Sequence, residues 1–368
     1  MKPSSPEFRL GEGMISGVLS ATLGTLGFGA VICLLFPSLL TTPDMRAIYP
    51  MEWVRRLIQF VLVTAFAFGV LSIVLTRRRV LGLTGIALSL GATLLGGSKV
   101  PVSAPVATAS YIGLDWFILN LFFLALVFVP MERAFGRLTE QRVFRKGWQT
   151  DIAHFLASHI LVQVSVLLTM IPAALFFRWA VDAEFQGIVA SQPVPLQFIE
   201  ALVLADLFAY FSHRLFHSIP LLWRFHRIHH SSETMDWLAG SRLHLVDIVA
   251  TRAVAFVPLY VMGFSTEALV PYLIFASIQA VFIHANVGFR FGGIRHLLVT
   301  PQFHHWHHTA QREALDKNFA VHLPLIDWLF GTHHLPKDQW PQVYGIAGSP
   351  VPDGYWKQLW IPFSRTNG

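Results

Sequence analysis

Charge is scarce in this chain of 368 residues: Asp, Glu, Lys and Arg together make up 13% of it, whereas hydrophobic residues make up 54%. The mean hydropathy is +0.54. A globular protein in water needs more polar surface than this composition can supply. The composition therefore excludes an ordinary water-soluble domain and predicts a membrane protein.

Cysteine is almost absent, since Cys33 is the only one and lies inside an apolar run. The chain therefore has no pair for an intramolecular disulfide and no cysteine set for an iron–sulfur cluster. It also has no C-x-x-C-H haem site and no G-x-G-x-x-G motif after a strand. If the protein carries out redox chemistry, we expect its electrons to come from a separate electron-transfer protein.

Long apolar runs are abundant. A helix of about 20 apolar residues crosses a bilayer core roughly 30 Å thick. Such runs, two of them short, occupy residues 13–40, 57–75, 81–97, 111–130, 152–175, 198–212 and 248–285. We predict an all-α polytopic membrane protein built as a transmembrane helical bundle, in which the last run forms a helical hairpin broken near Gly263 and Pro271.

Basic residues indicate the orientation, because short cytoplasmic loops are enriched in Lys and Arg. Those that favour a cytoplasmic N-terminus are Lys2, Arg9, Arg77, Arg78, Arg79, Arg133, Arg137, Arg142, Arg145 and Lys146, whereas Arg55 and Arg56 favour the opposite side of the membrane. Loops beside anionic lipid explain the net charge of +6. No stripe of basic and aromatic residues indicates a nucleic-acid partner.

The histidines are distributed unevenly. Residues 1–110 contain none and end in the stretch "GGSKVPVSAPVATAS", and all 17 histidines follow it. We therefore predict N-terminal transmembrane helices of unknown role in residues 1–110, a catalytic domain in 111–340 and a C-terminal tail in 341–368.

Eight histidines form three dense groups. The stretch "HRLFH" contains His213 and His217, "HRIHH" contains His226, His229 and His230, and "HHWHH" contains His304, His307 and His308. Helical residues three or four apart share a face, so each group would present its imidazoles on one side. Eight imidazoles exceed the needs of one tetrahedral ion. The spacing predicts two metal ions, and the neighbouring apolar runs place them in a layer at the cytoplasmic edge of the membrane.

Several further residues are candidates for the same site. His284, in "IHANVG", is a predicted ligand, and His244, in "SRLH", is a less certain one. Asp206 precedes His213 by seven residues, and we expect it to orient an imidazole through its ring N–H. Asn286, Asn318 and Asp327 are candidates for holding the ligands in place.

The ligand type alone leaves the metal open, because imidazole binds zinc, copper, iron and nickel. A divalent-metal transporter or sensor and a membrane zinc hydrolase are therefore two of the functions that this ligand type allows. Transporters bind ions near the bilayer midplane, whereas these groups are predicted at helix ends. The sequence has no H-E-x-x-H motif, which a zinc hydrolase would favour.

The segments "DLFAYFSHRLFH", "LLWRFHRIHHSS", "FIHANVG", "TPQFHHWHHT" and "DKNFAVHLPLIDWLFGT" resemble the fatty acid hydroxylase/sterol desaturase superfamily of integral membrane non-haem di-iron oxygenases over about residues 145–335. The resemblance implies two iron ions held by the eight grouped histidines, with His284 as a further ligand and His244 as a possible one. It also implies O2, an external electron donor, and hydroxylation or desaturation of a lipid, fatty acyl, sterol or isoprenoid substrate.

Overall fold

The computed structural model describes residues 15–43, 46, 49–76, 79–101, 111–160, 175, 177–346 and 351–364. Within these ranges the regular structure is helical, apart from one isolated bridge between Thr309 and Tyr344. The helices are α1 (Ile15–Leu35), α2 (Pro37–Leu40), α3 (Met51–Leu75), α4 (Val80–Leu94), α5 (Leu114–Phe135), α6 (Ala183–Ser191), α7 (Val194–Ser218), α8 (Pro220–His226), α9 (Leu245–Met262), α10 (Thr266–Phe282), α11 (Pro301–His307), α12 (Pro324–Leu329) and α13 (Tyr355–Trp360). The prediction of an all-α protein is confirmed.

Six of these helices are long and apolar enough to cross a membrane: α1, α3, α4 with the turn after it, α5, α7 and α9. Only 17% to 33% of the residues in their apolar windows are buried inside the protein. Exposing this much apolar surface to water is unfavourable, whereas the hydrocarbon core of a bilayer accommodates it.

Two apolar runs differ from the expected boundaries. The run at 198–212 belongs to α7, which continues to Ser218 and carries His213 and His217 in the same helix. Most of the run at 152–175 lies outside the described residues.

The run at 248–285 forms α9 and α10, which are separated at Gly263, whose φ of +74° favours glycine. The expected break near Pro271 is wrong, because Pro271 lies in the second turn of α10 and the helix continues past it. A proline at this position removes one backbone hydrogen bond near the start of the helix.

The chain divides into two compact units, residues 1–120 and 121–368. In the first unit, α1, α3 and α4 pack through small residues. A Cβ on Gly85 would lie 2.0 Å from Ser20 Oγ, so glycine is needed for this close approach.

In the second unit, α7, α9 and α10 pack around a core that includes Ala201, Ala205, Leu259 and Tyr272. A neighbouring core brings Tyr210 of α7 together with Phe303 of α11 and with Phe319. These two cores bring the C-terminal ends of α7 and α10 close to α8 and α11, where the histidines lie.

Candidate metal centre

Three short segments carry the grouped histidines. His213 and His217 lie one turn apart near the end of α7. His226 ends α8, and His229 and His230 follow in a 3-10 turn, so this group is only partly α-helical. Helix α11, whose N-cap Thr300 accepts a hydrogen bond from Phe303 N, carries the third group, with His308 at its C-cap.

The structure gathers nine imidazoles into two groups that mix residues distant in the sequence. The first group contains His213, His217, His226, His230 and His307, and the second contains His229, His284, His304 and His308. Within each group, one ring nitrogen from every residue lies within 4.8 Å of the others. The groups adjoin, since the ring centroids of His230 and His308 are 4.5 Å apart.

In many of these rings the Nδ1 atom forms a hydrogen bond with an oxygen of the protein. In five rings Nδ1 lies within hydrogen-bond distance of a protein oxygen. The pairs are His213 with Phe319 O at 2.7 Å, His226 with Asp247 Oδ2 at 2.7 Å, His229 with Arg242 O at 3.2 Å, His284 with Ala280 O at 2.7 Å and His307 with Lys317 O at 2.8 Å. These oxygens are acceptors, so each Nδ1 carries the proton. A neutral imidazole then has its free lone pair on Nε2.

The Nε2 atoms face one another within each group. The distance between Nε2 atoms is 3.0 Å for His213 and His226, and 3.3 Å for His229 and His284. His307 Nε2 is buried without a hydrogen-bond partner among the described residues. Converging lone pairs with no proton to share are satisfied by a cation, so this donor set fits bound metal ions.

Burial also favours the form of the imidazole that binds metal. Outside the membrane-spanning helices, burial lowers the pKa of His229, His230, His304 and His308 well below the ordinary value, and neighbouring imidazoles lower each of these pKa values further. Burial lowers the pKa of His284 to about 4. These side chains are therefore neutral near pH 7, as metal ligation by imidazole requires.

Two carboxylates outside the predicted set of site residues orient predicted ligands. Asp247, in the first turn of α9, accepts the hydrogen bond from His226, and Asp316 Oδ1 lies 3.2 Å from His217 Nδ1. The only sequence signal for Asp247 is its position three residues after His244. Its role depends on α9 packing close to α8, which is a tertiary contact.

His244 belongs to neither of the two histidine groups. Its Nδ1 accepts a hydrogen bond from Val246 N at the start of α9, and its Nε2 lies 3.1 Å from Leu359 O. Both ring nitrogens are therefore used in holding the beginning of α9 and the C-terminal helix α13.

Asp206 contacts backbone where an imidazole was expected. Its carboxylate accepts hydrogen bonds from the N–H groups of Val321, His322 and Leu323 at 2.7 to 3.1 Å. That stretch of chain is not helical, so its amides need an acceptor, and the buried carboxylate supplies one. Asp206 therefore supports the segment after α11 and does not orient a ring.

The other supporting candidates also bind backbone. The Asn286 side chain pairs with both the N–H and the carbonyl of Leu138. Asn318 Nδ2 donates to Phe303 O, next to His304 in α11. Asp327 accepts a hydrogen bond from the backbone N–H of Phe319, and the carbonyl of Phe319 accepts the hydrogen bond from His213. Asn318 thus holds the residue before His304, and Asp327 holds the residue whose carbonyl binds His213.

A cavity of about 350 Å3 opens beside the first group. His217, His230 and His307 form one wall, and Trp223, Leu315 and Asp316 line other parts of it. Imidazole and indole groups thus border a space large enough for part of a small molecule or an alkyl chain.

Fold and site together define a helical membrane-type protein with two adjoining histidine clusters that could bind metal. A family model described as fatty acid hydroxylase matches residues 198–332. The ornithine lipid hydroxylase OlsE of Rhizobium tropici is 31% identical over 236 residues, which are 60% of this chain and 70% of that protein. This chain belongs to the fatty acid hydroxylase/sterol desaturase family.

Two more distant relatives also have names that describe enzymes acting on lipids or on compounds derived from lipids. The human alkylglycerol monooxygenase is 29% identical over 42% of this chain and 34% of its own length. The very-long-chain aldehyde decarbonylase GL1-11 of rice is 23% identical over 58% of this chain and 81% of its own length. No solved structure matches the chain significantly.

Proposed function

We propose that this protein is a membrane-bound, O2-dependent non-haem di-iron oxygenase that hydroxylates a C–H bond of a lipid. The observation that carries the proposal is the set of nine buried imidazoles in two adjoining groups. Neither group includes a carboxylate among the described residues. Two adjacent clusters of neutral nitrogen donors suit a pair of divalent cations that work together.

Iron is the proposed metal because an aliphatic C–H bond needs an oxidant that no amino-acid side chain can provide. Bound iron supplies the activation of O2, with two electrons delivered by a separate donor protein. His213, His217, His226, His230 and His307 would hold one ion, and His229, His284, His304 and His308 the other.

The protein itself positions the ligands and the substrate. The carbonyls of Phe319, Lys317 and Arg242 keep Nδ1 of His213, His307 and His229 protonated, and this directs each Nε2 inward. The cavity beside the first group would hold the reacting carbon of the substrate against Trp223 and Leu315 and limit the access of water.

The proposed substrate is a polar membrane lipid with an alkyl or acyl chain, and ornithine lipid is the first candidate because of the relative OlsE. Such a lipid can leave its chain in the bilayer while its headgroup stays at the interface. The basic loops favour placing this site on the cytoplasmic side of the membrane.

Comparative lipid mass spectrometry tests the proposal. Cells supplied with ornithine lipid would express the wild type, His229→Ala, His307→Ala or the control His296→Ala, which changes an exposed histidine outside both groups. We expect a lipid that gains one oxygen atom with the wild type and the control only. Loss of two hydrogens instead would identify a desaturase, and full activity in His229→Ala would exclude the di-metal mechanism.

Metal analysis of the same purified proteins gives an independent result. Iron bound to the wild type and lost from the His229 and His307 variants supports the proposal. Zinc retained without iron, together with no change in lipids, would contradict it and favour a different function for the histidines.

A further inference from the structure

Two buried carboxylates bind five consecutive backbone amides after the last histidine group. Asp327 accepts from Phe319 N and Ala320 N, each at 2.8 Å. Asp206 accepts from the next three N–H groups, those of residues 321–323. Both side chains are fully buried, with 0% exposure. A non-helical stretch thus has all five amides satisfied without water.

The position of Asp206 places this stretch relative to the membrane. Asp206 lies seven residues before His213 in α7, which is about 10 Å along the axis of an α-helix. Helix α7 as a whole is long and apolar enough to cross the bilayer, and His213 and His217 lie near its C-terminal end. Residues 321–323 therefore lie beside α7 on the membrane side of the histidine layer. In hydrocarbon, irregular backbone is tolerated only where its polar groups are satisfied by the protein.

The short helix that follows turns apolar side chains outward. In α12, Leu325 is 54% exposed, Trp328 68% and Leu329 63%. Within residues 318–332 the one Asp, Glu, Lys or Arg is the buried Asp327. The exposed face therefore has no charge with which to interact with water.

This face continues the exposed apolar side of α7. Phe330, directly after α12, lies 5.0 Å from the ring of Phe211 and 5.2 Å from that of Tyr210, measured between centroids. Phe211 is 43% exposed, as are Phe208 at 39% and Leu215 at 50% along α7. A surface that would face lipid on a membrane-crossing helix thus extends without interruption onto α12.

We propose that residues 319–330 form a re-entrant segment, which enters one leaflet of the bilayer and returns, and that the outer face of α12 contacts lipid acyl chains. Asp206 and Asp327 accept the backbone hydrogen bonds that water would accept if the segment lay outside the membrane. The segment also contacts the candidate metal centre, because the carbonyl of Phe319 accepts a hydrogen bond from His213.

Collision accessibility of spin labels tests this proposal in the chain of 368 residues. Cys33 is replaced by Ala, and a single cysteine is introduced as Leu325→Cys or Leu329→Cys. The protein is reconstituted into phosphatidylcholine vesicles, and the label is exposed to O2, which concentrates in the bilayer, or to a water-soluble nickel chelate. Phe208→Cys serves as the lipid-facing reference and the exposed Glu313→Cys as the aqueous reference.

We expect the ratio of oxygen to nickel accessibility at 325 and 329 to match Phe208→Cys and to exceed that of Glu313→Cys. A ratio like that of Glu313→Cys would place α12 in water and overturn the proposal. Low accessibility to both reagents would mean that protein, such as a second copy of the chain, covers the face, which also overturns it. Because both positions are exposed, either variant alone decides the outcome if the other is unstable.

Discussion

Asp247 and His226 form a buried pair in which the carboxylate accepts a hydrogen bond from the imidazole, with 2.7 Å between Asp247 Oδ2 and His226 Nδ1. The two residues come from different helices, His226 from the end of α8 and Asp247 from the first turn of α9. The pair fixes the His226 ring so that its Nε2 faces His213. A contact between two helices thus determines the direction of a predicted ligand.

Replacing Asp247 is expected to weaken metal binding. In Asp247→Ala the His226 ring loses its partner, and outer hydrogen bonds of this kind contribute about 10- to 100-fold to metal affinity. Asp247→Asn retains an oxygen acceptor and should lie between the wild type and the alanine variant. Iron titration of the purified proteins measures the effect, with the exposed Glu313→Ala as control. Unchanged affinity in Asp247→Ala would show that the pair does not support a ligand.

Metal removal is expected to lower thermal stability. An ion that binds only the folded protein stabilises it by about 2.7 kcal/mol when its free concentration is 100 times the dissociation constant. The melting temperature should therefore fall after chelation and recover when Fe(II) is added. In His307→Ala, which removes a member of the first group, the recovery should be smaller. The same melting temperature with and without iron would contradict a site that binds metal in the folded state.

Gly240 has no room for a side chain. A Cβ at this position would lie 2.6 Å from His284 Nδ1, whose hydrogen bond to Ala280 O is 2.7 Å long. We expect Gly240→Ala to displace the His284 ring, to destabilise the protein by about 1–3 kcal/mol as overpacked sites do, and to reduce the iron bound.

Gly293→Ala is the matched control for this experiment, since nothing lies within 4 Å of a Cβ there. Melting temperature and iron content are measured for both variants. Wild-type values for Gly240→Ala would show that His284 can move without consequence for metal binding.

A buried network of ion pairs supports the second histidine group. Asp151 binds Arg242 at 2.6 Å and Arg145 at 2.7 Å, and Arg145 also binds Asp236. The carbonyl of Arg242 accepts the hydrogen bond of His229. Removing one partner of such a network leaves an unpaired buried charge, so Arg242→Gln should destabilise the protein by about 3–5 kcal/mol.

Lys146→Ala is the control for the network, because its ion pairs join exposed side chains at 3.8 and 3.9 Å. Exposed pairs of this kind contribute about 0–1 kcal/mol. Denaturant unfolding of both variants compares the two effects. Equal losses of stability would mean that the buried network has no special role.

The network also changes the interpretation of the basic residues in the sequence. Arg145 counted toward the cytoplasmic loops in the orientation prediction, yet its side chain is 5% exposed and pairs with two carboxylates. The other basic residues of that segment still favour the same side of the membrane. A sequence reveals that a residue is charged, but only packing shows whether the charge reaches solvent.

The sequence by itself determined the helical membrane character of the protein and the histidines that could act as ligands. Both properties follow from local patterns, since apolar runs long enough for a bilayer favour helices, and the spacing of three and four residues indicates imidazoles that lie close together. The tertiary structure decided how the histidines divide, because His229 and His230, neighbours in the chain, point into different groups. It also decided that Asp247 orients the ring of His226, a predicted ligand, while Asp206 binds backbone amides. A carboxylate accepts from whichever donor the fold brings within about 3 Å, and the spacing of residues along the chain does not specify that donor.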